Sequence, residues 1–162
     1  MSETSDIDRV WEIAEKIKIC MLTTHAAGRM RCRPMHAIAD RAADCLWFVT
    51  DDRGAKDNEI GAAPDVCLAF ADIDDNTYLS VTGTAAMIRD PAKAEELWST
   101  EAQAWWPHGP RDPAVRVLRV VPDQAEYWDT RGNSITVALK LMAARMTGKQ
   151  PDLGDNKKVD VR

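Results

Sequence analysis

The chain has 162 residues, with 26 acidic and 21 basic side chains and a net charge of −5. A composition that is 45% hydrophobic and 29% charged belongs to one globular domain with a real core, which excludes a disordered chain. The acidic balance speaks against a nucleic-acid binder, and no apolar run nears the ~20 residues that span a bilayer.

Residues 5–17 are predicted to form a helix, with Ser5 as its cap and Ile7, Val10, Trp11, Ala14 and Ile17 as one apolar stripe. Segments 18–24 and 29–40 are expected to pair as a hairpin around the turn at 25–28. A strand over 44–50 follows, rich in aromatic and β-branched residues. A loop and short helix fill 51–63, and Pro64 ends them. Strands are expected at 65–72 and 77–90, with Gly83 marking a bulge or a close approach of backbone. Asp90-Pro91 reads as a helix start, and that helix carries Ala94, Leu97 and Trp98 on one side. Three Pro and a Gly make 105–113 an irregular loop.

Segments 115–122 and 124–129 are read as the last two strands. Asn133 or Ser134 then caps a helix with Ile135, Ala138, Leu139, Met142 and Met146 on one face. The domain is drawn over 1–146, and the polar tail over 147–162 is expected to fray. Strands joined by short turns favour an antiparallel sheet closed into a barrel over βαβ units.

Six Trp stand against two Tyr and two Phe, and need a packed core, an interface or a planar ligand. The four cysteines (Cys20, Cys32, Cys45, Cys67) form no C-x-x-C pair and lie in apolar segments. They read as buried free thiols in a reducing compartment, not as a zinc site. The N-terminus resembles neither a secretory signal nor a transit peptide, so a cytoplasmic location is expected. There is no P-loop, no dinucleotide fingerprint, no H-E-x-x-H and no G-x-S-x-G. The three histidines lie in separate segments.

What remains is a basic stripe. Arg29, Arg31 and Arg33 alternate on one strand and share a side. Taken alone they describe a solvated sheet face. Should they converge with Thr50, Arg53 and Lys56, guanidinium, ammonium and hydroxyl together suit a phosphate monoester.

Several short motifs recur in order: Arg33-Pro34-Met35, Leu46 to Thr50, Lys56, Val81 to Ala85, Asp90-Pro91, Leu97-Trp98, Trp105 to Gly109, Asp112-Pro113 and Ala125 to Asp129. With them the chain resembles the pyridoxamine 5'-phosphate oxidase-like FMN-binding split-barrel proteins over roughly residues 5–130, most of all their general stress protein subgroup.

The resemblance implies a six-stranded antiparallel split β-barrel with flanking helices. It also implies a homodimer with FMN at the interface, while composition and hydropathy alone predict no nucleic-acid or membrane partner. By position it assigns Arg33, Pro34 and Met35 to the flavin. Phe48, Val49 and Thr50 offer backbone groups along the next strand. Lys56 holds the phosphate, and Trp106 reaches the flavin from the partner subunit; where the family has a small or serine residue near the loop lysine this chain has DDRGAK, and Arg53 is read as compensating. The implied chemistry is flavin-mediated redox of a small molecule, with no catalytic residue named. The alternative is a flavin-binding stress protein without turnover.

The sequence also departs from the family's oxidases. The Arg/His substrate motif that follows their last strand is replaced here by an amphipathic helix, which speaks against pyridoxamine phosphate oxidation.

Overall fold

The computed structural model describes residues 3–54, 56–130 and 134–161, with the backbone alone for 3–5, 56–57 and 134–136. The caps expected at Ser5, Asn133 and Ser134, and the side chain of Ile135, fall outside what is described. No described helix is long and apolar enough to cross a membrane.

Helix α1 (Glu3–Ile17) buries Val10, Trp11, Ile13 and Ala14, the face its periodicity predicts. Strands β1 (Ile19–Ala26) and β2 (Arg29–His36) form the expected hairpin. Its two turn residues both have positive φ, Ala27 at 47° and Gly28 at 76°, the signature of a turn whose twist matches the strands.

The predicted strand over 29–40 is broken once. Ala37 separates β2 from β3 (Ile38–Asp40), and its N–H bonds back to the carbonyl of Lys18 at 2.7 Å. Strand β4 (Cys45–Asp51) leads to helix α2 (Lys56–Ala62). Strands β5 (Asp65–Asp72) and β6 (Thr77–Ile88) follow. Helix α3 (Pro91–Glu96) starts as expected, its cap Asp90 accepting the Lys93 N–H at 2.9 Å.

The stretch expected as loop from 105 begins inside a second short helix. This is α4 (Thr100–Trp105), capped by Ser99. Its Thr-Glu start is a weak signal beside the prolines that follow.

The two expected final strands are one, β7 (Val115–Asp129). Pro122 lacks a ladder N–H, which argued for a break. The structure absorbs it at a bulge, where Gly83 faces Pro122 and Thr82 already faces Gln124. Gly83 is required there, because a Cβ would lie 2.3 Å from the Val121 carbonyl oxygen.

Helix α5 (Ser134–Thr147) and strand β8 (Asp155–Asp160) complete the chain. The tail does not fray. β8 pairs with Gln124–Asp129 of β7, and Val161 reaches the core. The predicted apolar face of α5 is exposed at Leu139, Met142 and Met146.

The antiparallel sheet runs β2-β1-β5-β6-β7-β4-β3, with β8 as a further partner of β7. Its two end strands, β2 and β3, are separated in sequence by Ala37 alone. The sheet must therefore curl until its ends meet, yet no ladder joins them. The result is an open, split barrel rather than a closed one. It keeps the six long strands expected and adds the short β3 and β8.

β4 decides what lies on either side of the sheet. Leu46 and Phe48 enter the main core with Leu22, Leu68, Val81 and Leu118. Cys45 and Trp47 face outward into a second cluster with Ala94, Val115 and Val117. Leu97, Trp98 and Trp106 pack against that cluster. Two-sided burial explains why β4 is an unbroken apolar run. The α3–α4 segment is thereby held outside the barrel, next to the split.

Candidate functional site

The split leaves a wedge between the end of β2 and the end of β4, and α4 walls its open side. This groove has a volume of about 350 Å³ and is lined from β2 by Pro34, Met35 and His36, and from β4 by Val49, Thr50 and Asp51. Ile38 and Leu97, Ser99, Glu101, Ala102, Trp105 and Trp106 complete it. The volume falls within the range of about 300–1,000 Å³ usual for small-molecule sites. Eight of the thirteen lining residues are apolar or aromatic, and His36, Thr50, Asp51, Ser99 and Glu101 are its polar groups.

Five residues assigned by sequence meet here from three separate segments: Pro34, Met35, Val49, Thr50 and Trp106. Thr50 is buried. Trp106 is fixed by a hydrogen bond from its Nε1 to Asp51 Oδ2 at 3.0 Å and by Trp98, whose ring centroid is 6.1 Å away. It lines the groove of its own chain, so no reach from a partner subunit is needed to bring it there.

Phe48 lies elsewhere. Its side chain is fully buried in the main core, which leaves its backbone as the part that borders the groove strand. Arg53 is exposed, 3.6 Å from Asp51 through Nε, and its backbone N–H bonds Asp51 Oδ1 at 3.1 Å. Lys56 opens α2, and its side chain lies outside the described residues.

Arg33 points to the other side of β2 from Pro34 and is occupied. Its Nη2 donates to Glu59 Oε2 at 2.7 Å and to Thr24 Oγ1 at 2.9 Å. The Thr24 hydroxyl in turn donates to the same Glu59 oxygen at 2.6 Å. Arg31 joins from β2, its Nη1 3.6 Å from Glu59 Oε1. So the basic stripe does share one side, as its alternation predicts, but it converges on a carboxylate of this chain.

Glu59 is only 6% exposed. Its carboxyl is held below the ordinary range by the Thr24 hydrogen bond and by Arg33, against the opposing effect of burial. Arg33 Nη1 and Glu59 Oε1 are buried without a hydrogen-bond partner. The cluster ties α2 to the β1–β2 hairpin.

Sequence reasoning missed Glu59, His36 and Glu101. His36 directly follows the Arg33-Pro34-Met35 motif and was its one available pointer. Glu101 is held low by its own backbone N–H and the Ser99 hydroxyl, with His36 and Lys18 adding favourable charge. Nothing in the local sequence marks Glu59 as a partner of Arg33. The cysteine expectation is corrected at one position: Cys20 and Cys45 are buried, Cys67 is half-buried, but Cys32 is exposed on the outer face of β2.

Comparison with known proteins agrees with this fold. The family described as pyridoxamine 5'-phosphate oxidase like matches residues 5–152. Protein bli-3 of Neurospora crassa is 24% identical over 144 residues, which is 82% of this chain and 68% of that one. The structure described as general stress protein 26 from Jannaschia sp. CCS1 is 26% identical and superimposes with a TM-score of 0.76, covering 96% of this chain and 98% of that one. The general stress FMN/FAD binding protein of Xanthomonas citri is 25% identical with a TM-score of 0.70, covering 80% and 92% of the two chains. On the extent of the match and on its fold, the chain belongs to the pyridoxamine 5'-phosphate oxidase-like family.

Proposed function

We propose that the protein binds FMN in the groove between β2, β4 and α4 and uses it in the redox chemistry of a small molecule. One observation carries this reading. Pro34, Met35, Val49 and Thr50, which the family resemblance assigns to the flavin, line a single groove from two distant strands, and Trp106, expected there from the partner subunit, lines it from the same chain. The lining suits the cofactor: Pro34, Met35, Val49 and Trp106 offer apolar and aromatic walls to a flat ring. Thr50 and the β4 backbone offer hydrogen bonds at its edge. Lys56 and Arg53 supply charge for the phosphate. Arg33 serves as a support beneath β2, since Glu59 already neutralises it. When bound, the flavin supplies the electron transfer, and this chain's residues bind it, orient it and keep water from one side.

The functional unit in this reading is a homodimer. The outer face of β1, β2, β6 and β7 exposes Ile19, Met21, Met30, Tyr78 and Trp128. Pro34 and His36 belong both to that face and to the groove. A second copy covering the face would thus add a wall to the flavin site. The four free cysteines fit a reducing compartment, the cytoplasm.

The test is spectroscopic. Protein purified without added cofactor, then titrated with FMN, should show a bound-flavin spectrum that NADH or NADPH bleaches and an acceptor restores. Colourless protein that takes up no FMN refutes the reading. Flavin that binds but neither reduces nor reoxidises makes the protein a flavin binder without turnover.

A further inference from the structure

The two adjacent tryptophans of the groove differ in kind. Trp106 is half-buried, hydrogen-bonded to Asp51 and packed against Trp98. Trp105 lines the same groove yet is 77% exposed. It ends α4, one helical turn from Glu101 and three residues from buried Ala102, so the three share the face of α4 that borders the groove. An indole left in water beside an open apolar groove gains when a flat ligand enters, because stacking buries both surfaces.

We propose that Trp105 is the cover of this site. Its indole lies over the bound isoalloxazine and shields it from solvent, while Trp106 is a fixed wall. The proposal rests on the flavin reading above. It has an optical consequence beyond affinity. A stacked indole gives an electron to photoexcited flavin and takes it back, so emission is quenched with no net chemistry.

The experiment uses FMN-loaded protein and the variants Trp105→Leu and Trp105→Phe, with emission read in a Trp106→Phe background so that the wall indole does not quench in its place. Bound FMN should be dark in the parent protein. Trp105→Leu should brighten it severalfold, open it to quenching by iodide, and release it about threefold to tenfold faster. Trp105→Phe should restore slow release without restoring the quenching, since phenyl stacks but is not oxidised by excited flavin. Sedimentation should show the same oligomeric state for all three proteins.

Unchanged emission and release in Trp105→Leu overturn the proposal and leave the flavin reading standing. A Trp105→Leu protein that changes oligomeric state with quenching intact also overturns it, and assigns the indole to contact between copies. A parent protein that takes up no FMN removes the flavin reading, and this inference with it.

Discussion

Two regions meet on β2 and are built on opposite principles. Toward its end, Pro34 and Met35 border an open groove with few polar groups of its own. One residue earlier, Arg33 turns to the other side and enters a buried network with Thr24 and Glu59. The network spends its charges on itself and fixes α2 against the hairpin. The groove leaves its surface for something else to cover. A cationic residue near a candidate site is therefore not by itself a ligand contact; its partners decide.

The largest expected effect comes from breaking the closed region. Glu59→Ala leaves the Arg33 guanidinium largely buried without its carboxylate and should cost about 3–5 kcal/mol. Urea denaturation measures it. A loss below ~1 kcal/mol would mean the network holds nothing together.

The same group sets an acid limit. The Glu59 carboxyl is held lower in the folded protein than the ordinary value of a free glutamate. Its contribution to stability is therefore present above that value and is lost as pH falls through the folded pKa. Glu59→Gln should flatten this part of the stability profile below about pH 4.5. An unaltered acid limb would show that other carboxylates cause it.

In the open region, Lys56→Ala should weaken FMN binding by about 1.5–3 kcal/mol, roughly one to two decades, and riboflavin binding far less. Equal losses for the two ligands would remove the phosphate role. The smallest effect is expected at the border between wall and core. Trp106→Phe keeps most of the apolar contact but gives up the hydrogen bond to Asp51. It should lower stability of the flavin-free protein by about 1–2 kcal/mol, read as a lower melting temperature.

Much of the scaffold was legible because local chemistry and tertiary contacts agree there. The Asp90-Pro91 start, the β1–β2 hairpin and the strand over 65–72 appear where their residues predict them. Gly83 stood out for a reason the structure supplies, the Val121 carbonyl against it. β7 was not legible as one strand, because Pro122 marks a break unless a bulge in β7 itself, with Asp123 as its extra residue, absorbs it. β8 was not legible at all. Its half-buried positions are Asp155, Lys157 and Val159, so no apolar alternation exists, and the free side of β7 makes it a strand. At the site, the motifs assigned five of the groove's residues but not His36 or Glu101, and the orientation of Arg33 was beyond reach. Only the fold brings Glu59 to it across 26 residues.

The account stands most directly on whether the groove takes a flavin. Titration of the purified protein with FMN, followed by its visible absorbance after gel filtration, decides it. The account predicts stoichiometric flavin that travels with the protein and is lost at the concentrations used when Lys56 is replaced by Ala. Flavin that elutes entirely free of the unmodified protein would contradict it.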